Sequence, residues 1–377
     1  IYQWTLFNET WGLFSNRSLQ MGLASGRGGK KRVYREATQR KVAEAYFKAK
    51  ACDPTRLVED NSPCNRDHVV TDVNTWHAYC AGYAWEGRVA KECRETFVGS
   101  PANFIGGRVQ DDAPMMNSEC GNVWGYKGST GDCDWSWDYH MMMNAFRRHL
   151  QCTGWLYTEH HDVINEWNGY VRFDRTPKYT GISELFPGSS LCDWHADAYL
   201  PLDTELCREF KAGETWKMPV DVSLTTDKYA GHTLAVSYRI RAYNAKGKLI
   251  EGVPVDAGTF KGASWQNGTV LNVPVKLPNE TACGVICFSL VDDGTVIGRN
   301  FACFVTRGED AADTVSVPAG SFAKAEWNQK QWNVLGGLKA CGAGKGFFEY
   351  EFALPEAAKG KAATFRAEVS SKRLNAK

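Results

Sequence analysis

Two acidic residues follow apolar runs at widely separated points of the chain. Glu9 comes directly after Trp4-Thr5-Leu6-Phe7-Asn8, and Glu119 directly after Met115-Met116-Asn117-Ser118. A carboxyl group at the polar end of a buried strand can serve as proton donor, base or nucleophile. Two of them facing one another across a pocket suit cleavage of an acetal: one protonates the departing oxygen while the other attacks or stabilises the oxocarbenium-like centre. About 110 residues separate the pair, roughly three strand-helix repeats of an eight-stranded barrel of about 250 residues. That interval fits strands four and seven of one barrel.

The elements that must hold these groups alternate. Residues 1–7 read as a strand, 32–51 as a helix with apolar residues at helical spacing, and 56–59 as the next strand beyond Pro54. The β-branched run at 68–73 predicts another strand, 113–118 a fourth and 154–158 a fifth, with an amphipathic helix at 136–152 through Met141, Met142, Phe146 and Leu150. Strands alternating with helices imply parallel β/α units. The strand ends are polar: Asn8-Glu9, Glu59-Asp60, Asn74 with His77, Ser118-Glu119 and Thr158-Glu159. Polar groups collected at the carboxyl ends of parallel strands are what a (β/α)8 barrel uses for chemistry.

Beyond Leu200 the period changes from helical to alternating. Residues 235–243, 270–277 and 284–290 read as strands, with a turn at 244–248, and predict an antiparallel sandwich of the immunoglobulin type. A further β-rich stretch begins near Thr314, with strands expected at 347–354 and 363–370. The expected organisation is therefore α/β plus all-β. A partial (β/α)8 TIM barrel holding about strands 4–8 occupies 1–185, an immunoglobulin-like β-sandwich 186–308, and an incomplete, jelly-roll-like second β-sandwich 309–377. The chain opens on what reads as the fourth strand, so the expectation is that an absent N-terminal half of the same protein completes the barrel.

The totals narrow the partners. With 44 Lys and Arg against 43 Asp and Glu, nothing in the charge balance calls for nucleic acid or an anionic membrane. No apolar run approaches the ~20 residues that span a bilayer. Thirteen Cys without a CxxC pair or a Cys/His zinc spacing argue against a structural metal site; most read as buried free thiols, with disulfides in a secreted protein left open. The basic stretch GRGGKKR at 26–32 fails the phosphate-loop template and reads as a solvated loop, and Glu159-His160-His161-Asp162 lacks the spacing of a metal site. No charged-then-apolar leader follows Ile1, which leaves the compartment open, a secreted or periplasmic location included.

Four motifs in order carry a resemblance. Phe7-Asn8-Glu9, the segment EDNSPCNRDHVVTDVNTWHAY at 59–79, Asn117-Ser118-Glu119-Cys120-Gly121, and GWLYTEHHDVINEWNGYVRFDR at 154–175 together resemble the catalytic barrel of glycoside hydrolase family 2. That is the group of β-galactosidases, β-glucuronidases and β-mannosidases. The resemblance covers residues 1 to about 178, and the β-rich remainder resembles the sandwich domains such enzymes carry. It implies a retaining β-glycosidase acting on an oligosaccharide, polysaccharide or other β-glycoside, with Glu9 as general acid/base, Glu119 as nucleophile and no cofactor or metal. Asn8 would bind the hydroxyl beside the reacting carbon. Asn74, Trp76 and His77 would line the pocket after strand six, and Trp155, Tyr157 and Glu159 the end of strand eight. For Trp155, a stacking floor and a place in the core weigh about equally.

Two departures bear on that reading. Cys120 stands where many relatives have an aromatic residue, usually Tyr, so the phenol hydrogen bond that the resemblance implies for the nucleophile is not expected from that position. The Asn-x-Lys signature for a uronic carboxylate is absent from 159–178, which predicts a neutral sugar such as a β-galactoside. The rival reading is a non-catalytic protein that retains sugar in the same pocket, because a fold does not by itself fix an activity.

Overall fold

A computed structural model describes residues 2–15, 17, 19–23, 30–121, 131–163, 166, 168–203, 205, 207–308, 314–337, 339–367 and 369. Strand β1 (Gln3–Thr5) precedes an antiparallel hairpin of β2 (Leu19–Leu23) and β3 (Lys30–Tyr34), which leads into α1 (Glu36–Cys52). Pro54 fixes where that helix stops, because it disfavours helical backbone at the residue before it. Then come β4 (Leu57–Glu59), β5 (Asn74–Tyr79), α2 (Trp85–Glu95), β6 (Met115–Gly121), α3 (Gly131–Arg148) and β7 (Cys152–Tyr157). β1 and β4 pair in parallel, Trp4 beside Val58, and β5-β6-β7 form a second parallel sheet. Parallel neighbours joined by helices are what the alternating pattern predicts.

Side chains join the two parallel sheets where backbone ladders do not. Glu59, almost fully buried on β4, accepts hydrogen bonds from Gln3 Nε2 at 2.8 Å and Thr5 Oγ1 at 2.7 Å on β1, and from the Thr75 hydroxyl on β5. Asp60, the next residue, takes the backbone N–H groups of Val69 (2.6 Å) and Val70 (3.0 Å) and the His68 Nδ1 (2.7 Å). That corrects the strand expected at 68–73. A carboxylate claims the donors a neighbouring strand would have used, and the strand forms one step later, as β5. A second correction concerns the basic stretch: Lys30–Arg32 belong to β3, while 24–29 lie outside the described residues.

After α4 (Ile182–Leu185) the chain builds β8 (Ala198–Tyr199), β9 (Arg208–Lys211), β10 (Thr215–Leu224), β11 (Thr233–Asn244), β12 (Leu249–Glu251), β13 (Val255–Lys261), β14 (Asn267–Lys276), β15 (Ala282–Asp292) and β16 (Thr295–Arg307). One sheet runs β14-β10-β8; the other runs β12-β11-β15-β16-β9, with β13 also on β11. Alternate residues of the facing sheets make one core, Val220 and Val222 of β10 with Val236 of β11 and Ile286 and Phe288 of β15. The opposite face of β15 and β16 is buried too. Val285, Cys287, Phe301 and Cys303 pack with Trp76, Trp85, Met142 and Phe146 in a second core that joins the sheet to α3. Burial on both faces explains why 284–290 reads as a nearly continuous apolar run.

The last elements are two-stranded: β17 (Lys324–Trp327) with β20 (Gly346–Glu349), and β18 (Lys330–Val334) with β19 (Lys339–Ala343). The strand expected at 363–370 is not formed among its described residues, which are exposed. No disulfide occurs among the described residues. No helix among them is long and apolar enough to cross a membrane.

Candidate functional site

Glu9 sits just past β1 with a φ of 49°, and Thr10 follows with 66°. Left-handed backbone at a branched residue such as Thr costs on the order of 1–3 kcal/mol and persists only where its surroundings hold it. Here they do. The Glu9 N–H donates to the Ser62 carbonyl (2.8 Å), the Thr10 N–H to Asn61 Oδ1 (3.1 Å) and the Thr10 hydroxyl to Asp67 Oδ2 (2.7 Å). The turn thereby carries the Glu9 carboxylate toward the end of β5.

Glu119 arrives from β6. In the parallel register it lies beside His77, after an irregularity in the ladder between Trp76 and His77. His77 stands between the two acids, its Nδ1 3.1 Å from Glu9 Oε1 and 3.6 Å from Glu119 Oε2. Its Nε2 is 2.7 Å from the Ser62 hydroxyl, which is 2.8 Å from the Ser118 hydroxyl. An ionised carboxylate only accepts, so the Nδ1 that faces Glu9 is a donor. The His77 hydrogen bond is also the largest reason that the Glu9 carboxyl is held below its usual range, against the opposing effect of its partial burial.

Tyr79, two residues beyond His77 and so on the same face of β5, donates to Glu119 Oε1 at 2.7 Å. Burial, followed by the charge of Glu119, raises its phenol above the ordinary value, so it stays a donor. Tyr79 thus supplies the phenol contact that Cys120 cannot. Cys120 itself is buried and turned to the Leu156 carbonyl.

A cavity of about 280 Å³ is lined by Glu9, Cys64, His77, Ala78, Tyr79, Glu119 and Glu166. Of the residues singled out from sequence, Glu9, His77 and Glu119 meet there. Asn8 is exposed beside it, its backbone paired with Ser62. Asn74 is fully buried below, bonded to Gln110 (2.6 Å) and Asn103 (2.9 Å). Trp76 packs against Trp85 and Phe146 at centroid distances of 6.5 and 6.1 Å, on the far side of β5 from His77. Trp155 stacks on Phe146 at 5.5 Å and 14°, and Tyr157 packs edge-on to Tyr139 at 4.6 Å. These four side chains lie outside the lining of the cavity, in the packing behind it. Glu159 lies outside the lining too, half-buried, its carboxyl raised first by burial and then by Glu166, Asp162 and Glu119.

Tyr79, Ser62, Cys64 and Glu166 were not singled out from sequence. A period-2 step from His77 along β5 points to Tyr79. Ser62, Cys64 and Glu166 stand on irregular backbone that carries no periodic signal. Glu9, His77 and Glu119 also present three potential ligand atoms within 4.8 Å of one another, the one metal-compatible group among the described residues. The hydrogen bonds just described account for the same arrangement without an ion.

No family model matches the chain, and no curated protein matches it. Solved structures that resemble it include an FMN-binding β-glucuronidase from Facaelibacterium prausnitzii L2-6, at 15% identity over 82% of this chain and 41% of that one, with a TM-score of 0.33. A β-glucuronidase from Parabacteroides merdae is 11% identical over 87% of this chain and 38% of that one, with a TM-score of 0.33. A Bacteroides fragilis protein described as a candidate β-galactosidase is 14% identical over 82% of this chain and 41% of that one, with a TM-score of 0.35. The chain spans about two fifths of the length of these glycosidase structures. Likeness at such TM-scores carries no weight for fold or activity, so function rests on the pocket itself.

Proposed function

We propose that the protein is a retaining β-glycosidase of the family 2 type that removes terminal β-linked sugars by double displacement. One observation carries this reading: Glu9 and Glu119, far apart in sequence, bring carboxylate oxygens within 4.8 Å of one another at one cavity. Retaining enzymes use carboxyl groups about 5–5.5 Å apart, whereas inverting enzymes leave about 6.5–9.5 Å for a water molecule. On this reading β1, β4, β5, β6 and β7 are strands of one (β/α)8 barrel wall within 1–185, followed by sandwich units at 186–308 and 309–377.

Glu119 attacks the anomeric carbon while Glu9 protonates the departing oxygen; Glu9 then takes a proton from the incoming water and the glycosyl ester is released. Tyr79 orients the nucleophilic carboxylate, and His77 sets the position of both acids. Glu9 must gain a proton before it can act as an acid, yet its bond to His77 favours the ionised form. A bound sugar strips water from the carboxylate and pushes the other way, toward the protonated form. Among the described residues that line the cavity none is Lys or Arg, which disfavours a uronic acid. A neutral hexopyranoside such as a β-galactoside meets that condition.

The test is turnover of aryl β-glycosides by Glu119→Gln and Glu9→Gln. Loss of general acid/base function costs about 10²–10⁴-fold, and loss of the nucleophile should cost at least as much. Near-normal turnover by either variant removes the assignment. Tight binding of an aryl β-glycoside by the unaltered protein without release of the aryl alcohol would favour sugar retention over cleavage.

A further inference from the structure

The cavity holds a third carboxylate that the two-acid chemistry leaves unused. Glu166 lines it with Glu9 and Glu119, and its side chain makes no hydrogen bond or ion pair among the described residues. The loop that carries it is pinned. Val163 and Glu166 exchange backbone hydrogen bonds of 2.9 and 3.0 Å, and Asp162 N–H donates to the Val171 carbonyl at 3.0 Å. Asp162 Oδ1 accepts from Gly169 N–H at 2.9 Å and from Lys178 Nζ at 2.7 Å, both charged groups almost fully buried. A Cβ on Gly169 would lie 2.2 Å from the Asp162 nitrogen, so the close crossing of the two strands of the loop admits no side chain there. Glu166 is therefore held at the cavity by a built support, and Lys178 of the same loop is already committed to Asp162.

An unpaired carboxylate beside two others is unfavourable, because like charges oppose ionisation in proportion to their closeness. The carboxyl of Glu166 is raised accordingly, first by burial and then by Glu119 and Glu9. Among the described residues the one basic side chain in the lining is His77, whose Nδ1 lies 3.1 Å from Glu9 and 3.6 Å from Glu119. A ligand that brings a positive charge relieves this imbalance; a neutral hydroxyl relieves it less, and a carboxylate worsens it. We propose that Glu166 is a specificity-determining residue that receives an ammonium group, so that the preferred substrate is the β-glycoside of an amino sugar. The inference rests on the glycosidase reading for the reaction and on Glu166 alone for the preference.

Four aryl β-glycosides separate the possibilities: a 2-amino-2-deoxyglucoside or galactoside, its N-acetyl derivative, the parent neutral sugar and the uronide. Each is assayed with the unaltered protein and with Glu166→Gln below the pKa of the amine. The amino sugar should exceed its neutral parent in kcat/KM by about ten- to hundredfold, the scale of one charge-assisted hydrogen bond. Glu166→Gln should erase that ratio and should improve the uronide relative to the neutral sugar. Hydrolysis of neutral glycosides with no preference for the amine, or a preference that survives Glu166→Gln, overturns the proposal while leaving the glycosidase reading in place. Binding of non-hydrolysable thioglycosides, measured by calorimetry, provides the converse. A Glu166-dependent amine preference without release of any aryl alcohol supports the recognition role and removes the hydrolase reading. Binding of Mn²⁺ that Glu166→Gln abolishes, with no amine selectivity, overturns the proposal in favour of a metal ion.

Discussion

His140→Phe should flatten the acid side of the protein's stability profile. His140 lies on α3, completely buried where that helix meets the sandwich: its ring stacks on Phe301 at 4.1 Å and 16°, and its Nε2 is 3.1 Å from the Phe301 carbonyl oxygen. Its Nδ1 is buried without a hydrogen-bond partner. Protonation would place a charge and an unsatisfied N–H in that interface, and burial brings its pKa from 6.5 down to about 4. The sign follows from which state holds the proton. Between those two values the unfolded chain binds a proton that the folded chain refuses, so stability falls as pH falls through this window. One pKa unit is worth about 1.4 kcal/mol, which gives about 3 kcal/mol in full and about 2 kcal/mol already lost between pH 7 and pH 5. Phe keeps the stacking and removes the titration, at a constant cost from the lost bond to Phe301. Urea unfolding of both proteins at several pH values from 7 to 4 isolates the effect as a change in their difference. A difference that stays constant across the range would refute the assignment of a neutral, desolvated His140.

Three further outcomes are expected. Tyr79→Phe deletes the charge-assisted hydrogen bond to Glu119, worth about 1.5–3 kcal/mol, and should lower kcat for an aryl β-glycoside about tenfold or more; unchanged kcat would show that the phenol does not act on Glu119. Lys178→Met leaves the Asp162 carboxylate buried without its cation and should destabilise the protein by about 3–5 kcal/mol in denaturant titrations, whereas an effect below about 1 kcal/mol would mean that the pair is hydrated. Trp85→Ala opens the core between α2, β5 and α3 at about 3–5 kcal/mol, read as a lowered thermal midpoint, and an unmoved midpoint would contradict the packing described.

Glu9 and Glu119 are legible because each follows an apolar run, although only the β6 run is buried while Trp4 and Thr5 of β1 are exposed. Their convergence is not legible, since it depends on the strained turn at Glu9 and Thr10 and on a register irregularity beside His77. Trp76, Trp155 and Tyr157 show where residue type misleads. In parallel strands covered on both faces, an aromatic residue near a strand end fits the core and the pocket equally well, and only the side of the sheet decides. His77 and Trp76 are sequence neighbours and point to opposite sides. The run 68–73 reads as a strand because its β-branched residues suit one, while the side chain of Asp60, several residues earlier, takes the hydrogen bonds. Glu166 had no legible signal, because its position comes from a buried Lys178–Asp162 pair and the crossing at Gly169.

The most direct measurement is the configuration of the first product. Proton NMR of an aryl β-glycoside during early hydrolysis, before mutarotation, should show the β-anomer of the free sugar appearing first, as two successive inversions at Glu119 require. Initial accumulation of the α-anomer would mean that water attacks directly and that the two carboxylates do not work as proposed.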